Sequence, residues 1–341
     1  MKKQLSSLIT FLLILNGLDL GSEGIPGDYV LQAELLYFKP AMDQSSYAIS
    51  SSDNHVGSEY FPSGKHHLNR SNYTPGVRLE GLYALCSEMT AFDLRGTYFS
   101  AGHSNKITGD FLYDTIGYPG GGAQAPEDIF YKGTAHIKDH YQYGAIDATL
   151  NRLSLNSFFD DLFFLVGLHY ATIHHKTRFT SKDTPPKENQ QHSLFNVLRS
   201  NSHFWGIGPE LGVDYSYKLT PIDCPYGILS LGINARGALL YSDTEASFHY
   251  TSLRTAESEG VNLKNDSLSR VTPAVDAKLE GTYRFTCSSW DIMLSLGYEW
   301  LWYGDSIDSI QGMEVAFPGD SLDIFSNFSA QGPFFRLGIA F

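Results

Sequence analysis

Ten segments of the chain alternate apolar and polar residues with a period of two, which is typical of a β-strand whose two faces meet different surroundings. In the third segment, for example, Phe92 and Leu94 alternate with Asp93 and Arg95. The segments cover residues 29–39, 73–84, 88–100, 140–152, 162–174, 203–217, 226–241, 271–285, 290–303 and 332–341. The alternation predicts an all-β chain of ten antiparallel strands.

The connections between these segments are alternately long and short. The long, polar connections are residues 40–72, 101–139, 175–202, 242–270 and 304–330. Connections in compact soluble domains are typically only about six residues long, whereas outer-membrane barrels have long outer loops and tight periplasmic turns. The pattern therefore predicts a transmembrane up-and-down β-barrel with five long surface loops.

Two alternatives to this architecture remain open at the level of sequence. A soluble β-sandwich also alternates, but it rarely has ten strands of the membrane-spanning length of about 9 to 11 residues. Residues 106–117 and 129–137 could form one more hairpin and make twelve strands. Aromatic residues near strand ends favour a barrel with two interfacial girdles: Tyr37, Tyr83, Tyr98, Trp205, Tyr217, Tyr241, Tyr283, Trp302 and Phe341.

The first residues read as a secretory signal. Lys2 and Lys3 precede a mostly apolar run over 8–15, which is too short to span a membrane as a helix. Cleavage is expected between Ser22 and Gly24, which gives a signal peptide of residues 1–24 and a single barrel domain of residues 25–341. The net charge of −13 excludes a nucleic-acid-binding role, since nucleic acids require a basic surface.

Four motifs stand out at 35–40 (LLYFKP), 205–214 (WGIGPELGVD), 297–300 (GYEW) and 336–341 (RLGIAF). Together they resemble the major-outer-membrane-protein-like family of Legionella and the Chlamydia-related bacteria. The resemblance implies a porin-like barrel in the bacterial outer membrane, which passes small solutes by passive diffusion and has a structural role in the envelope. The chain departs from the pattern at Glu210, where a basic residue is more usual. A largely closed barrel that acts as a surface adhesin or scaffold through its long loops is the alternative.

The terminal segment, 332–341, ends in an aromatic residue on its apolar face. Outer-membrane barrels end in this way because the last strand must pair with the first to remove both sheet edges. We therefore expect Phe341 to lie at the periplasmic interface and to act as an assembly signal.

Charged residues occupy the predicted inward face of nearly every strand, and they are the pore-lining candidates. They either fill the lumen as a salt-bridged network or line a path that selects permeants. Inward glycines at 167, 208, 212, 232, 297 and 338 remove bulk from the wall and leave a narrow path open as a hypothesis. The candidates are Glu34, Arg78, Glu80, Asp93, Arg95, Asp147, Glu210, Asp214, Arg236, Asp276, Lys278, Glu280, Arg284, Glu299 and Arg336.

The three cysteines, Cys86, Cys224 and Cys287, all fall in short connections and so are expected to face the oxidising periplasm. Neighbouring turns are about 10 Å apart, whereas the Cα atoms of a disulfide lie within about 7 Å. Even Cys224 and Cys287, in adjacent turns, are therefore poorly placed to pair unless the turns bend together. Inert thiols are one interpretation. Disulfides to periplasmic or other envelope proteins are the other, which the resemblance to chlamydial envelopes implies.

No cofactor, metal site or catalytic activity is predicted. The histidine pairs 66–67 and 174–175 are adjacent in sequence, so their side chains point to opposite faces of a strand. Asp139, His140 and His174 are expected near the outer rim without a second acid pair beside them, and Asp160 and Asp161 lie in a turn at the other end. The expected partners are outer-membrane lipid, envelope proteins through the cysteines, and host or surface ligands through the loops.

Overall fold

The computed structural model of the chain describes residues 29–42, 46–50, 65–85, 90–114, 130–156, 160–183, 194–220, 227–254, 257–265, 267–287, 290–312 and 321–341. The predicted signal peptide, Cys86 and Cys224 lie outside the described residues. The strands are β1 (Tyr29–Met42), β2 (Ser46–Ser50), β3 (Lys65–Leu68), β4 (Thr74–Ala84), β5 (Thr90–Asp114), β6 (Phe130–Asn156), β7 (Asp160–Asp183), β8 (Leu194–Lys218), β9 (Ile228–Arg254), β10 (Glu257–Lys264), β11 (Leu268–Cys287), β12 (Trp290–Gly312) and β13 (Ser321–Ala340).

Ten of these strands close into an antiparallel barrel, in the order β1, β4, β5, β6, β7, β8, β9, β11, β12 and β13, after which β13 pairs with β1. The three short strands β2, β3 and β10 pair alongside this ring: β2 pairs with β3 and β5, and β10 pairs with β9. The predicted ten-stranded all-β barrel is confirmed. Where they are described, over 106–114 and 130–137, the segments that suggested twelve strands are instead the outer parts of β5 and β6. They pair with one another from Lys106 opposite His136 onward.

The strands are longer than alternation alone indicates. β5 and β6 continue through much of the predicted loop 101–139, and β9 continues into the predicted loop 242–270. From Tyr98 to Asp114, β5 rises about 40 Å at ~3.3 Å per residue and a tilt of roughly 40°. We call the part of the barrel above the level of Tyr98 the outer extension.

A belt of exposed apolar side chains surrounds the lower part of the barrel, as lipid contact requires. The belt includes Leu35, Leu168, Leu211, Leu279 and Leu296, all of them exposed. Most of the predicted girdle aromatics are exposed, namely Tyr37, Tyr83, Tyr98, Tyr217, Tyr241, Tyr283 and Phe341. Tyr98 and Tyr241 lie within strands that continue beyond them rather than at strand ends. Among the described residues, no helix is long and apolar enough to cross a membrane.

One end of the barrel carries the short connections 85–89, 157–159, 219–227 and 288–289. At this end the start of the first strand, β1, meets the end of the last strand, β13. There the backbone amides of Tyr29 and Phe341 each donate to the other residue's carbonyl, at 3.2 and 3.0 Å. The Phe341 ring lies 6.1 Å from that of Tyr29 and 6.4 Å from that of Trp290. Phe341 therefore lies at the end of the barrel with the short connections, while its place at the periplasmic interface and its role as an assembly signal stay predictions.

The interior of the barrel is filled in three successive layers. At the level of the apolar belt lies a layer of buried charged residues, which includes Arg78, Arg95 and Glu299. Above it lies an apolar layer, with Phe99 and Phe328 among its members. A second apolar cluster fills the outer extension and contains Tyr47, Ile137, Phe179, Leu198, Phe248 and Tyr250.

Candidate functional site

Arg78 of β4 is the centre of the charged layer. Its guanidinium is bidentate to Glu299 of β12, at 2.7 and 2.5 Å, and also donates to Glu34 of β1 at 2.6 Å. The remaining donor, Nε, bonds to the hydroxyl of Thr97 at 2.8 Å. The Arg78 side chain is 1% exposed and both carboxylates are 0% exposed, so each charge depends on its partners rather than on water.

The same two carboxylates bind further cations on neighbouring strands. Lys278 Nζ lies 3.4 Å from Glu34 and 3.7 Å from Glu299. Arg336 Nε lies 2.9 Å from Glu34, and its guanidinium is also hydrogen-bonded to Glu280. Three cations therefore surround Glu34, which makes this group a charge network rather than a set of isolated pairs.

A second group is built around Arg95 of β5. Its Nε bonds to Asp147 at 2.7 Å, and its Nη2 lies 3.1 Å from Asp276. Asp147 is also hydrogen-bonded to His169 Nδ1, while His169 Nε2 lies 2.8 Å from the hydroxyl of Tyr303. The charged layer is thus joined by hydrogen bonds to the apolar layer above it. We call that layer the aromatic layer, because Phe99, Tyr143, Tyr303 and Phe328 belong to it.

Two contacts cross the full width of the lumen. β5 and β11 are five places apart in the ring of ten strands, as are β6 and β12, so each pair lies on opposite walls. Arg95 meets Asp276 across the first pair, at 3.1 Å. Tyr143 meets Tyr303 across the second, with their hydroxyls 2.7 Å apart. A cavity of about 10 Å³ remains beside these residues, which is about the space of one water molecule.

Phe328 of β13 adds a ring to the middle of the aromatic layer. Its ring centroid lies 6.4 Å from that of Phe99, 6.0 Å from that of Tyr143 and 6.4 Å from that of Tyr303. These partners belong to strands β5, β6 and β12. The ring therefore packs against several parts of the wall at once, and its fully buried state follows from that position.

The structure brings most of the predicted pore-lining residues into one layer. Ten of them are buried, and Glu80, Asp214, Glu280 and Arg336 are partly exposed on the same face. Arg284 differs, because it lies at the end of the barrel with the short connections, where its exposed guanidinium Nε donates to Asp291 at 3.1 Å. The ten buried members are Glu34, Arg78, Asp93, Arg95, Asp147, Glu210, Arg236, Asp276, Lys278 and Glu299.

The inward glycines do not leave open space in the described wall. A Cβ at Gly208 would lie 1.9 Å from the carbonyl oxygen of Leu239, and one at Gly297 would lie 2.7 Å from the ring of Phe334. Neighbouring backbone and side chains therefore occupy the volume that these residues free. The sequence interpretation, in which glycines widen a path, is wrong at these two positions because their role is to allow close approach.

One group in the layer has metal-ligand chemistry. Single ligand atoms of Asp147, His169 and Glu210 lie within 4.8 Å of one another, and all three residues are buried. Both ring nitrogens of His169 already contact Asp147 and Tyr303. Arg95, which lines the same cavity, would repel a divalent cation there. These residues fit an ion-pair network better than a metal site.

A second buried polar cluster lies in the outer extension, and the sequence did not reveal it. Asp139 accepts from Thr177 at 2.5 Å and from Asn69, and its oxygens lie 3.7 Å from ring nitrogens of both His103 and His175. Burial acts to raise the pKa of Asp139, but hydrogen bonds and the nearby imidazoles outweigh it and lower that pKa. Burial lowers the pKa of His103 against the opposing effect of Asp139.

The sequence predicts Asp139, His140 and His174 near the outer rim. In the structure His140 and His174 lie on the outward face, and the inward partners of Asp139 are His103 and His175. Alternation that continues through β5 and β6 beyond residue 100 is the signal that could have identified them.

Of the three cysteines, Cys287 is the one within the described residues. It is exposed, has a free thiol, and ends β11 opposite Trp290 at the end with the short connections. Its exposure to the periplasm and its cross-linking stay predictions.

Three of the solved structures that match the chain are outer-membrane proteins of low sequence identity to it. The outer membrane protease OmpT from Escherichia coli has a TM-score of 0.47 at 8% identity, with 93% of this chain and 98% of that chain covered. The translocator domain of the autotransporter NalP from Neisseria meningitidis has a TM-score of 0.34 at 10% identity, with 100% and 97% covered. A Pseudomonas aeruginosa FadL homologue has a TM-score of 0.25 at 9% identity, with 92% and 89% covered.

These likenesses are too weak to indicate an activity, and no curated protein sequence matches the chain significantly. The family comparison is stronger, because residues 26–341 match the family described as Legionella pneumophila major outer membrane protein precursor. This match covers nearly the whole chain, agrees with the closed barrel and its apolar belt, and indicates the bacterial outer membrane as the location. The chain belongs to the Legionella major outer membrane protein family.

Proposed function

We propose that the chain is a closed outer-membrane barrel that presents its outer extension and loops as a binding or scaffolding surface. The observation that carries this proposal is the pair of contacts across the lumen, Arg95 with Asp276 and Tyr143 with Tyr303. Side chains from opposite walls that touch at two levels leave no room for a solute to pass. A barrel of about ten strands is also near the size at which side chains fill the interior.

Single-channel recording in planar bilayers tests the proposal. The folded wild-type chain should give no steady conductance steps. The double variant Tyr303→Ala and Phe328→Ala, which removes two rings from the middle of the lumen, should give steps or frequent openings. Leu296→Ala is the matched control, because it removes an exposed side chain from the outer belt and should leave the barrel silent. Regular steps from the wild-type chain would contradict closure.

Passive diffusion of small solutes is a second candidate function. It is favoured by the polar atoms beside the lumen cavity that have no hydrogen-bond partner among the described residues, Arg95 Nη1, Arg236 Nη1 and Glu210 Oε2. Such groups are normally hydrated, so water in this layer could begin a narrow path. Wild-type conductance that changes its ion selectivity in Glu210→Gln would support this porin-like function over a closed barrel.

A structural role in the envelope is compatible with either state of the lumen. Cys287 is exposed and its thiol is free, so an oxidising periplasm would allow it to form a disulfide with a neighbouring envelope protein. Non-reducing gels of intact envelopes, with thiols trapped beforehand, should show high-mass species that reductant converts to monomer. Cys287→Ser should reduce them. Monomer under both conditions would contradict cross-linking.

The proposal includes no catalytic role. The acid–histidine cluster of the outer extension is enclosed: Asp139 is buried and accepts from Asn69 and Thr177. A catalytic acid–base pair needs a water or substrate within hydrogen-bond reach. Incubation of the folded chain with peptide or phospholipid should therefore yield no hydrolysis, and hydrolysis that Asp139→Asn abolishes would contradict this expectation.

A further inference from the structure

Six cations project outward from one side of the outer extension, and together we call them the basic wall. They lie on four consecutive strands, β5 to β8, and the side chain of each is exposed. They are Lys106, Lys138, Lys176, Arg178, Lys182 and Arg199. Because outward residues alternate along each strand, the six share a single continuous surface.

The basic wall carries one sign of charge. The outward residues of 100–108, 134–142, 172–182 and 195–205 include no Asp or Glu, although the chain as a whole has 37 acidic residues and a net charge of −13. Within the described part of the chain, no carboxylate lies within 4.0 Å of the six cationic groups. Outward acids return on the next strand, at Asp243 and Glu245 of β9, and mark the edge of the wall.

Three of the cations are direct cross-strand neighbours. Lys138 is opposite Arg178, and Arg178 is opposite Arg199. Residues opposite one another in antiparallel strands have Cβ atoms about 5 Å apart, and like charges in such positions destabilise the sheet. A row of three cations is therefore unfavourable for the fold alone, and an anionic ligand would relieve the repulsion.

One neighbouring histidine, His136, has its pKa lowered in part by these cations. His136 projects from the same face, beside Lys106 in register. Burial lowers the pKa of His136 first, and Lys138, Lys106 and Arg178 lower it further. The wall thus disfavours an additional proton, as a surface with a positive potential does.

The distance of the basic wall above the apolar belt argues against ordinary phospholipids as its ligand. The outward aromatic residues Tyr98, Tyr170 and Trp205 mark the upper limit of the apolar belt on β5, β7 and β8. At ~3.3 Å per residue and a tilt of roughly 40°, the six cations lie about 15 to 30 Å above these residues. The head-group layer of an ordinary phospholipid leaflet is only about 5 to 8 Å thick. The wall therefore stands above phospholipid phosphates, yet it faces sideways toward neighbours in the same leaflet.

We infer that the basic wall binds a phosphorylated glycolipid of the outer leaflet, whose sugar phosphates extend above the phospholipid head groups to the level of Lys138, Arg178 and Arg199. Charge complementarity, sideways orientation and height all fit such a lipid. The cations supply charge-assisted hydrogen bonds to phosphate. Binding of a lipid to the basic wall does not depend on whether the lumen conducts. This inference is therefore independent of the proposed function.

Binding of lipopolysaccharide to the folded full chain tests the inference. The chain is placed in phosphatidylcholine nanodiscs, and the Kd is measured for lipopolysaccharide with a phosphorylated inner core and for the same material after dephosphorylation. The wild-type chain should bind the phosphorylated form at least tenfold more tightly. The triple variant Lys138→Gln, Arg178→Gln and Arg199→Gln should lose at least tenfold in affinity. Affinity that is unchanged by the triple variant would overturn the inference.

A matched control distinguishes binding by the basic wall from a general effect of net charge on affinity. The triple variant Arg152→Gln, Lys218→Gln and Arg284→Gln removes the same charge near the end with the short connections, and it should bind within twofold of wild type. A heat-modifiable shift on gels verifies that each variant is folded. Should the wall triple variant not fold, Arg178→Gln alone should still weaken binding about threefold, and unchanged affinity in it would count against the wall.

Competition identifies the class of ligand. Phosphatidylglycerol vesicles should compete poorly, because their phosphates lie too low to reach the wall. Equal competition by these vesicles, or equal binding of the dephosphorylated glycolipid, would overturn the assignment to sugar phosphates. Binding of soluble heparin that the wall triple variant abolishes, with glycolipid binding unchanged in that variant, would identify a soluble polyanion as the ligand instead.

Discussion

Arg78 and Arg178 are both arginines, but their side chains have opposite electrostatic surroundings. Arg78 is buried in the lumen and bound by two carboxylates, Glu34 and Glu299. Arg178 is exposed on the outer extension and has two cations, Lys138 and Arg199, as cross-strand neighbours. Carboxylates on strands far away in sequence neutralise the lumen cations. The cations of the basic wall have no such carboxylate partner within the described part of the chain and face the surroundings of the barrel.

The charges inside the barrel and the charges on its outer surface therefore have different roles. Inside, attraction between opposite charges joins strands of opposite walls, and removal of one partner would leave the other buried without compensation. Outside, repulsion among like charges is tolerated in the fold and makes the surface receptive to anions. Variants that remove a charge from the lumen or from the basic wall test this comparison directly.

The largest effect is expected from Glu299→Gln. This change removes the bidentate partner of Arg78 and leaves a buried cation with less compensation, which typically costs about 3 to 5 kcal/mol. Urea unfolding, followed by the heat-modifiable gel shift, should report the loss. Arg178→Gln on the outer wall is the control and should leave stability unchanged or slightly raised. Equal destabilisation by the two variants would refute the distinction between the inner and outer charges.

A double-mutant cycle sharpens the comparison further. Arg95→Gln and Asp276→Asn together should reveal a favourable coupling of about 1 to 3 kcal/mol, since contacting residues in one network couple by that amount. The equivalent cycle with Arg178→Gln and Arg199→Gln should give a smaller coupling of the opposite sign. Both cycles are measured by urea unfolding. Zero coupling between Arg95 and Asp276 would mean that this contact across the lumen contributes nothing.

Tyr303→Phe is expected to have a smaller effect. It removes the hydroxyl shared by Tyr143, at 2.7 Å, and His169, at 2.8 Å, and leaves two buried polar groups with one partner fewer, at a cost of about 1 to 2 kcal/mol. Tyr241→Phe, at an exposed position of the outer girdle, should cost less. A larger loss from the girdle variant would contradict the importance of the layer.

The smallest effect is a dependence on pH in the outer extension. The lowered pKa of buried His103 means that the unfolded form binds more protons below the ordinary pKa of about 6.5, so stability is highest above that pH and falls as pH decreases. Asp139 and His175 are the titratable groups beside it, and Asp139, with its lowered pKa, stays charged through this range.

Limited proteolysis at pH 7.5 and pH 5.5 measures this dependence. Cleavage of the extension should be faster at pH 5.5, and His103→Phe should reduce the ratio of the two rates. His249→Phe, which replaces an exposed histidine on the outward face, should keep the wild-type ratio. The same ratio in both variants would show that His103 is not the group responsible.

The barrel itself could be predicted from the sequence because alternation is a local property of each strand. Glu34, Arg95 and Asp276 were all assigned to the inward face from their positions alone. Their partners could not be predicted, since Arg95 and Asp276 lie on opposite walls and meet only when the register of every intervening strand is fixed. Side-chain length matters as well, because the contact depends on a guanidinium that reaches across the lumen.

The outer extension was missed for a different reason. Its polar outward residues, among them Lys176 and Arg178, resemble those of a loop once lipid no longer requires an apolar face. Strand assignment relied on apolar residues that face lipid, so it ended where the belt ends. The inward residues Ile173, His175 and Phe179 still alternate there, and they were the available signal for a strand that continues above the membrane.

The pairing of β1 with β13 has a consequence for the order of events during assembly. Val30 lies opposite Ala340, so the contact that completes the ring joins residues from nearly the two ends of the described chain. Contacts between residues so distant in sequence form late, because local hairpins such as β6–β7 lose far less chain entropy when they form. Until the ring is complete, the growing sheet has two unpaired edges, and each is a template for wrong association. We therefore expect that a cell producing this protein must protect an open intermediate until β1 pairs with β13.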